Sequence, residues 1–179
     1  MVNKAEIKAI TRNWIQDFII GLQLCPFARV PFEKDLIAYY VIEDYDVEAC
    51  LEAIADVLQQ IDNTSPKEVE TALVIFPHQL AEFDDYLDFL AAAEDVLIQL
   101  KLEGILQLAS FHPAYQFADT ALEDISNYTN RSPYPMIHLL REDSVHKAII
   151  SYPNVHAIPK RNIDLLNQMD EKEVRRFTK

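Results

Sequence analysis

The chain has 179 residues, half of them apolar, with only two cysteines, only two glycines and a formal net charge of -13. That length and apolar content suit one domain, residues 1–179, able to bury a core without disulfide or metal staples. The negative charge repels phosphate backbones and argues against general nucleic-acid binding. Gly21 and Gly104 stand far apart, so neither the clustered glycines of a dinucleotide fingerprint nor those of a P-loop are present.

Lys4, Glu6, Lys8, Arg12 and Asp17 interrupt the apolar positions of residues 1–22, so no secretion signal is expected there. No run approaches the ~18 apolar residues that a membrane span needs. Cys25 and Cys50 are too few for a disulfide framework and read as reduced thiols, which points to the cytoplasm. The charge is uneven. Glu43 to Glu103 carries sixteen acids against Lys67 and Lys101, whereas Arg141 to the end carries eight bases against six acids. The acidic stretch reads as the solvated face of two helices.

Ile7, Ile10, Trp14, Phe18 and Leu22 recur at helical spacing, predicting a helix over 3–23 with Gly21 near its end and Pro26 beyond. Residues 36–42 read as a strand. Asp44 or Asp46 caps a second helix with the stripe Val47, Leu51, Ile54, Leu58 and Ile61, and 71–76 forms a buried strand stopped by Pro77. A third helix carries Leu80, Phe83, Leu87, Leu90, Leu97 and Leu100. Gly104 then turns the chain into a strand over 105–111.

Residues 112–135 are a long polar connection with one short helix capped by Asp119 or Thr120. A strand over 136–140, a helix from Ser144 and a last helical region opened by Pro159, with a break near Asp170, complete the chain. Alternating helices and strands predict an α/β fold, a largely parallel sheet of about four strands covered by helices, with a ferredoxin-like sandwich as second choice.

The expected working surface runs from Phe111 to Glu142, because long ordered loops are more often functional than ordinary connectors. His112 follows a strand, where open α/β sheets bind ligands, and is placed as an acid or base. Asn127, Asn130 and Arg131 lie in Asn127-Tyr128-Thr129-Asn130-Arg131-Ser132-Pro133-Tyr134-Pro135, whose amides and guanidinium suit a carboxylate or phosphate. The same asparagines also suit the loop's own turns. His138 sits mid-strand, as a ligand-facing or a core histidine. Arg141, at the strand end, reaches a ligand or pairs with Glu142. Cys25, just past a helix C-terminus, reads as a structural thiol that becomes a nucleophile only beside His112 or His138. Cys50 falls between stripe positions and is assigned no role. His78, His112 and His138 follow or occupy three strands, yet no HxxxH or CxxC spacing supports a metal, and neither metal nor cofactor is expected. His146 and His156 read as surface residues.

Leu24-Cys25-Pro26-Phe27-Ala28, Phe111-His112-Pro113, the run 127–135 and His138-Leu139-Leu140-Arg141 together resemble a bacterial family defined as domain of unknown function family 1415. Ile158-Pro159 and Arg161-Asn162 add to the likeness, which covers nearly the whole chain. The resemblance implies a bacterial source and marks the same segments as those by which the family is recognised. It implies no activity.

Two working readings follow. In one, the protein is a small enzyme acting on an anionic small molecule, with His112 and Cys25 in the chemistry and Asn127, Asn130, Arg131, His138 and Arg141 holding the substrate. In the other, it is a non-catalytic protein-binding module whose loop 112–135 offers Tyr115, Tyr128 and Tyr134 beside Arg131 as anchors. A third reading makes the loop a structural cover with its polar groups bonded internally.

Overall fold

The computed structural model describes residues 2–178. Helix α1 (Lys4–Trp14) opens with a reciprocal cap between Asn3 and Glu6 and continues without interruption into a π-helical stretch, Ile15–Ile20. After the five-residue α2 (Arg29–Glu33) come β1 (Ile37–Val41), α3 (Val47–Asp62), β2 (Thr71–Ile75), α4 (Phe83–Gln99) and β3 (Leu106–Phe111). A 3-10 turn at Ile125–Thr129 interrupts the connection to β4 (Met136–Arg141). Helices α5 (Glu142–Ser151), α6 (Ile158–Leu166) and α7 (Glu171–Val174) follow, with a short 3-10 turn at Val155–Ala157.

The four strands form one helix-covered sheet in the order β1-β2-β4-β3. β1 and β2 pair in parallel through the α3 crossover, but β4 pairs antiparallel with both β2 and β3. The expected α/β architecture holds, with a mixed rather than largely parallel sheet. The reason is specific. β1, β2 and β3 do point the same way, as helical crossovers require, but β4 returns from β3 through the long loop and inserts between β2 and β3. The chain order β-α-β-α-β-β also excludes the ferredoxin-like alternative, which needs β-α-β-β-α-β.

Strand alternation divides the core into two. Ala72, Val74, Ile137, Leu139 and Leu106 face α3 and α4, where Ile54, Leu58, Ile61, Tyr86, Phe89 and Ala93 are buried. Val41, Leu73, Ile75 and Met136 face the other way, against Ile7, Trp14, Phe18, Leu166 and Val174. Most of the two expected stripes holds, with Leu51, Ile54, Leu58 and Ile61 of α3 and Phe83, Leu90, Leu97 and Leu100 of α4 in or against the core, but single positions depart. In α3, Val47 is exposed and Cys50 is buried, since the Asp46 cap starts the helix with Val47 in its first turn, turned to solvent. In α4, Leu87 is exposed and Tyr86 is fully buried, because the Tyr86 hydroxyl has buried partners to reach. Leu80 is not helical at all. It sits in the left-handed region at φ 62, and α4 begins at Phe83.

The π-helical stretch depends on Gly21. Its φ and ψ, -59 and -43, are ordinary helical values, so conformational freedom is not what selects glycine here. The widened turn bonds the Gly21 N–H to Gln16 O at 2.9 Å and brings the Asp17 carbonyl onto the place a Cβ would occupy. Gly21→Ala is expected to destabilise the fold by about 1–3 kcal/mol through this backbone overlap, measured by urea denaturation. An unchanged midpoint would remove the steric role assigned to Gly21.

Candidate functional site

The loop between β3 and β4 is built around buried polar side chains. Asn127 is fully buried and makes four hydrogen bonds: its Oδ1 accepts from the Phe117 N–H (3.0 Å) and the Thr120 hydroxyl (2.7 Å), and its Nδ2 donates to Ala121 O (2.8 Å) and Leu122 O (3.4 Å). Thr120 is thereby used as a brace, and the short helix is capped by Asp124 instead, at 125–129. Asn130 donates through Nδ2 to Ser110 O (3.2 Å) and accepts the His112 N–H on its backbone carbonyl (3.2 Å).

Arg131 is 8% exposed and lies over the Tyr128 ring, 4.5 Å from its centre. Its Nε donates to Tyr115 O (3.1 Å) and its Nη2 to Leu122 O (2.7 Å), tying two distant points of the loop together. His112 is fully buried against Phe83 and Tyr86. Its Nδ1 accepts the Ala114 N–H at 3.0 Å, so Nε2 carries the proton and donates to Leu80 O at 2.8 Å. That bond anchors the left-handed Leu80. Burial pushes the His112 pKa down, against the opposing pull of the Leu80 carbonyl and Glu82.

The expected site residues therefore do not converge on an open cleft. His112, Asn127, Asn130 and Arg131 form one internally bonded cluster. Arg141 lies at the other end of β4, about 17 Å along the strand from Met136, where its Nη2 donates to Ile61 O and Thr64 O (2.7 Å each) and closes the C-terminus of α3. It bonds carbonyls rather than Glu142. Cys25 is half-buried on the α1 side of the sheet; burial pushes its thiol up, opposed by the backbone N–H groups of Phe27 and Ala28.

His138 faces the α1 side, level with Leu73 and Ala109. The Thr71 hydroxyl donates to Leu139 O (2.5 Å), so its oxygen accepts from His138 Nε2 (2.7 Å). This fixes the Nε2–H tautomer and leaves Nδ1 without a hydrogen bond among the described residues. Burial lowers the His138 pKa to about 4. The three histidines considered for a metal lie apart. His78 stacks on Tyr45, His112 is held by Leu80 and His138 is on the opposite face; no group of three or more His, Cys, Asp or Glu suited to a metal occurs among the described residues.

Two features escaped the sequence reading. Tyr86 donates to Met136 O (3.0 Å) and accepts the Phe111 N–H (3.1 Å), bridging the two strands where the loop departs. Its signal was a tyrosine one residue from the leucine chosen for the stripe. The other is the Trp14 indole N–H, buried without an acceptor among the described residues; a lone tryptophan on an apolar stripe carries an N–H that needs an acceptor, and that is the available sign.

The fold thus defines a helix-covered mixed-sheet α/β protein with a braced β3–β4 loop and no long apolar helix able to cross a membrane among the described residues. The family model described as "Protein of unknown function (DUF1415)" matches residues 6–176, and the chain belongs to that family. No curated protein and no solved structure matches it.

Two outcomes follow from this geometry. Asn127→Ala and Arg131→Ala each strand buried carbonyl or N–H groups and are expected to lower stability by about 1–3 kcal/mol; urea curves within 0.5 kcal/mol of wild type, about the spread of neutral surface changes, would show that the loop does not rely on them. His138 is held neutral in the fold but titrates near the ordinary histidine value of 6.5 when unfolded. The unfolded chain therefore binds the extra proton, so the His138 contribution is complete above pH 6.5 and is lost as pH falls towards about 4. The difference in stability between wild type and His138→Gln should shrink across that window. A difference independent of pH would contradict the assignment.

Proposed function

We propose that the chain, working as one domain in the bacterial cytoplasm, is a protein-binding module that presents the loop 112–135 as a rigid surface. One observation carries this reading: the loop inverts the usual polarity. His112, Asn127, Arg131 and Ser132 are buried, while Leu122 is 54% exposed and Pro113, Ala114, Ala118 and Ala121 are open to solvent. Asp119, Glu123 and Asp124 stand exposed among these apolar residues. A pre-organised loop loses little freedom on binding, which is what makes such a surface effective. The partner it suits is a protein segment with apolar and basic side chains, not nucleic acid or a membrane.

The contact residues differ from those first considered. Tyr128 is buried beneath Arg131, and Tyr115 and Tyr134 are half-buried, so Leu122 is the anchor in this proposal. Enzymatic action on an anionic small molecule is the second reading. The observation that favours it is the unpaired Nδ1 of His138, the one expected site imidazole with a nitrogen left free; Cys25, on the same side of the sheet, would be its companion.

Leu122→Asp tests the binding proposal. Its site is exposed, so stability should stay within about 0.5 kcal/mol of wild type. Affinity capture from extract with the wild-type protein, followed by binding of each recovered partner to the purified variant, should show a loss of at least tenfold in affinity. Partners held equally well by the variant would overturn the proposal.

A further inference from the structure

Among the described residues, α5 is the one helix of eight or more residues that buries no side chain. It starts directly after β4, with Glu142 and Asp143 in its first turn, where the helix dipole favours acids. Val145 and Ala148, three residues apart and half-buried, mark the side turned to the body of the protein. Ile150 falls on the opposite side. It is 72% exposed, the most open large apolar side chain among the described residues, and Ile149 beside it is 44% exposed. His146 and Lys147, four and three residues before Ile150, share its outer face and are exposed.

The loop 112–135 presents the complementary surface. Leu122 stands exposed among Asp119, Glu123 and Asp124, and Arg131 Nη2 holds the Leu122 carbonyl at 2.7 Å, so this apolar side chain projects from braced backbone. None of the three carboxylates forms an ion pair among the described residues, and neither does Lys147. The region that carries α5 is also where bases outnumber acids, eight against six from Arg141 to the end, in a chain of net charge -13. An acidic apolar patch is repelled by most of this molecule and attracted to that part of it.

We propose that the loop of one copy docks on α5 of a second copy of this chain, with Leu122 packed against Ile149 and Ile150 and the surrounding carboxylates facing Lys147. This rests on the reading of the loop as a protein-binding surface and names its partner. Two different patches meet, so the contact is head to tail rather than two-fold. Charge selects that arrangement. Loop against loop would bring three carboxylates onto three others, and α5 against α5 would set Lys147 beside its own counterpart. Loop against α5 brings opposite charges around a shared apolar centre, the anatomy of an interface with a polar rim.

Sedimentation of the intact protein at rising concentration should show self-association, weaker at about 0.5 M than at about 0.05 M salt because exposed charges are screened. Leu122→Asp and Ile150→Asp, both at exposed positions and so expected to leave the urea midpoint unchanged, should each weaken association at least tenfold. The decisive sample is the two variants mixed. Ile150→Asp keeps its loop and Leu122→Asp keeps its α5, so the mixture should form a one-to-one dimer and nothing larger. A wild type that stays monomeric at every concentration, or a mixture in which no dimer returns, overturns the proposal. If the wild type is monomeric while Leu122→Asp still loses partners captured from extract, self-docking fails and the loop's binding role stands. If Leu122→Asp changes neither association nor capture, both fail.

Discussion

Everything distinctive in this fold follows from inserting β4 between β2 and β3. Entering that slot from the end of β3 requires the chain to leave the sheet at Phe111, travel through 24 residues of irregular structure and come back at Met136. Irregular backbone has no ladder of its own, and buried N–H and C=O groups must be paired. Side chains do the pairing. Asn127 serves Phe117, Ala121 and Leu122; Arg131 serves Tyr115 and Leu122; His112 serves Leu80 and Ala114; and Tyr86 serves the last residue of β3 and the first of β4.

This accounts for how the sequence can mislead. Element types were legible because they rest on periodicity and caps. Ile54, Leu58 and Ile61 fall on one side of α3, Asp46 caps it, Pro159 lies in the first turn of α6 and Asp170 caps α7. Strand direction was legible too, since helical crossovers keep β1, β2 and β3 parallel in sense. Pairing was not. Nothing in local sequence says that Ile137 lies opposite Val74 on one side and Ser110 on the other. Departures at single positions, as with Leu87 and Tyr86 in α4, were likewise invisible to a hydrophobic stripe, because a buried tyrosine is chosen by its hydroxyl's partners and not by apolarity alone.

The candidate site shows the same limit at the level of chemistry. Asparagine, histidine and arginine in a proline-bounded loop are the residue types that bind anions, and they are equally the types that satisfy backbone carbonyls and N–H groups. Sequence identifies the donors, whereas only the fold identifies the acceptors. His138 shows the converse: Thr71, 67 positions away in the chain, fixes its tautomer, and no reading of the strand 136–141 in isolation reaches that partner.

The two buried arginines make the distinction concrete. Neither Arg131 nor Arg141 has a carboxylate partner, in a chain with an excess of thirteen negative charges. Each is surrounded by carbonyls instead. Arg141 meets Ile61 O, Thr64 O and Val69 O, where the end of α3 leaves orphan acceptors and the negative end of the helix dipole favours a cation. Arg131 gathers Tyr115 O and Leu122 O and rests its cation on the Tyr128 ring. A lysine would offer one compact point of charge, whereas the planar guanidinium spans acceptors on separate segments at once. That reach lets one side chain hold together backbone stretches that share no ladder. It also follows that the protein's most strongly donating side chains were committed when the fold formed, and that a partner of the proposed binding surface would meet what the loop leaves outside, Leu122 foremost.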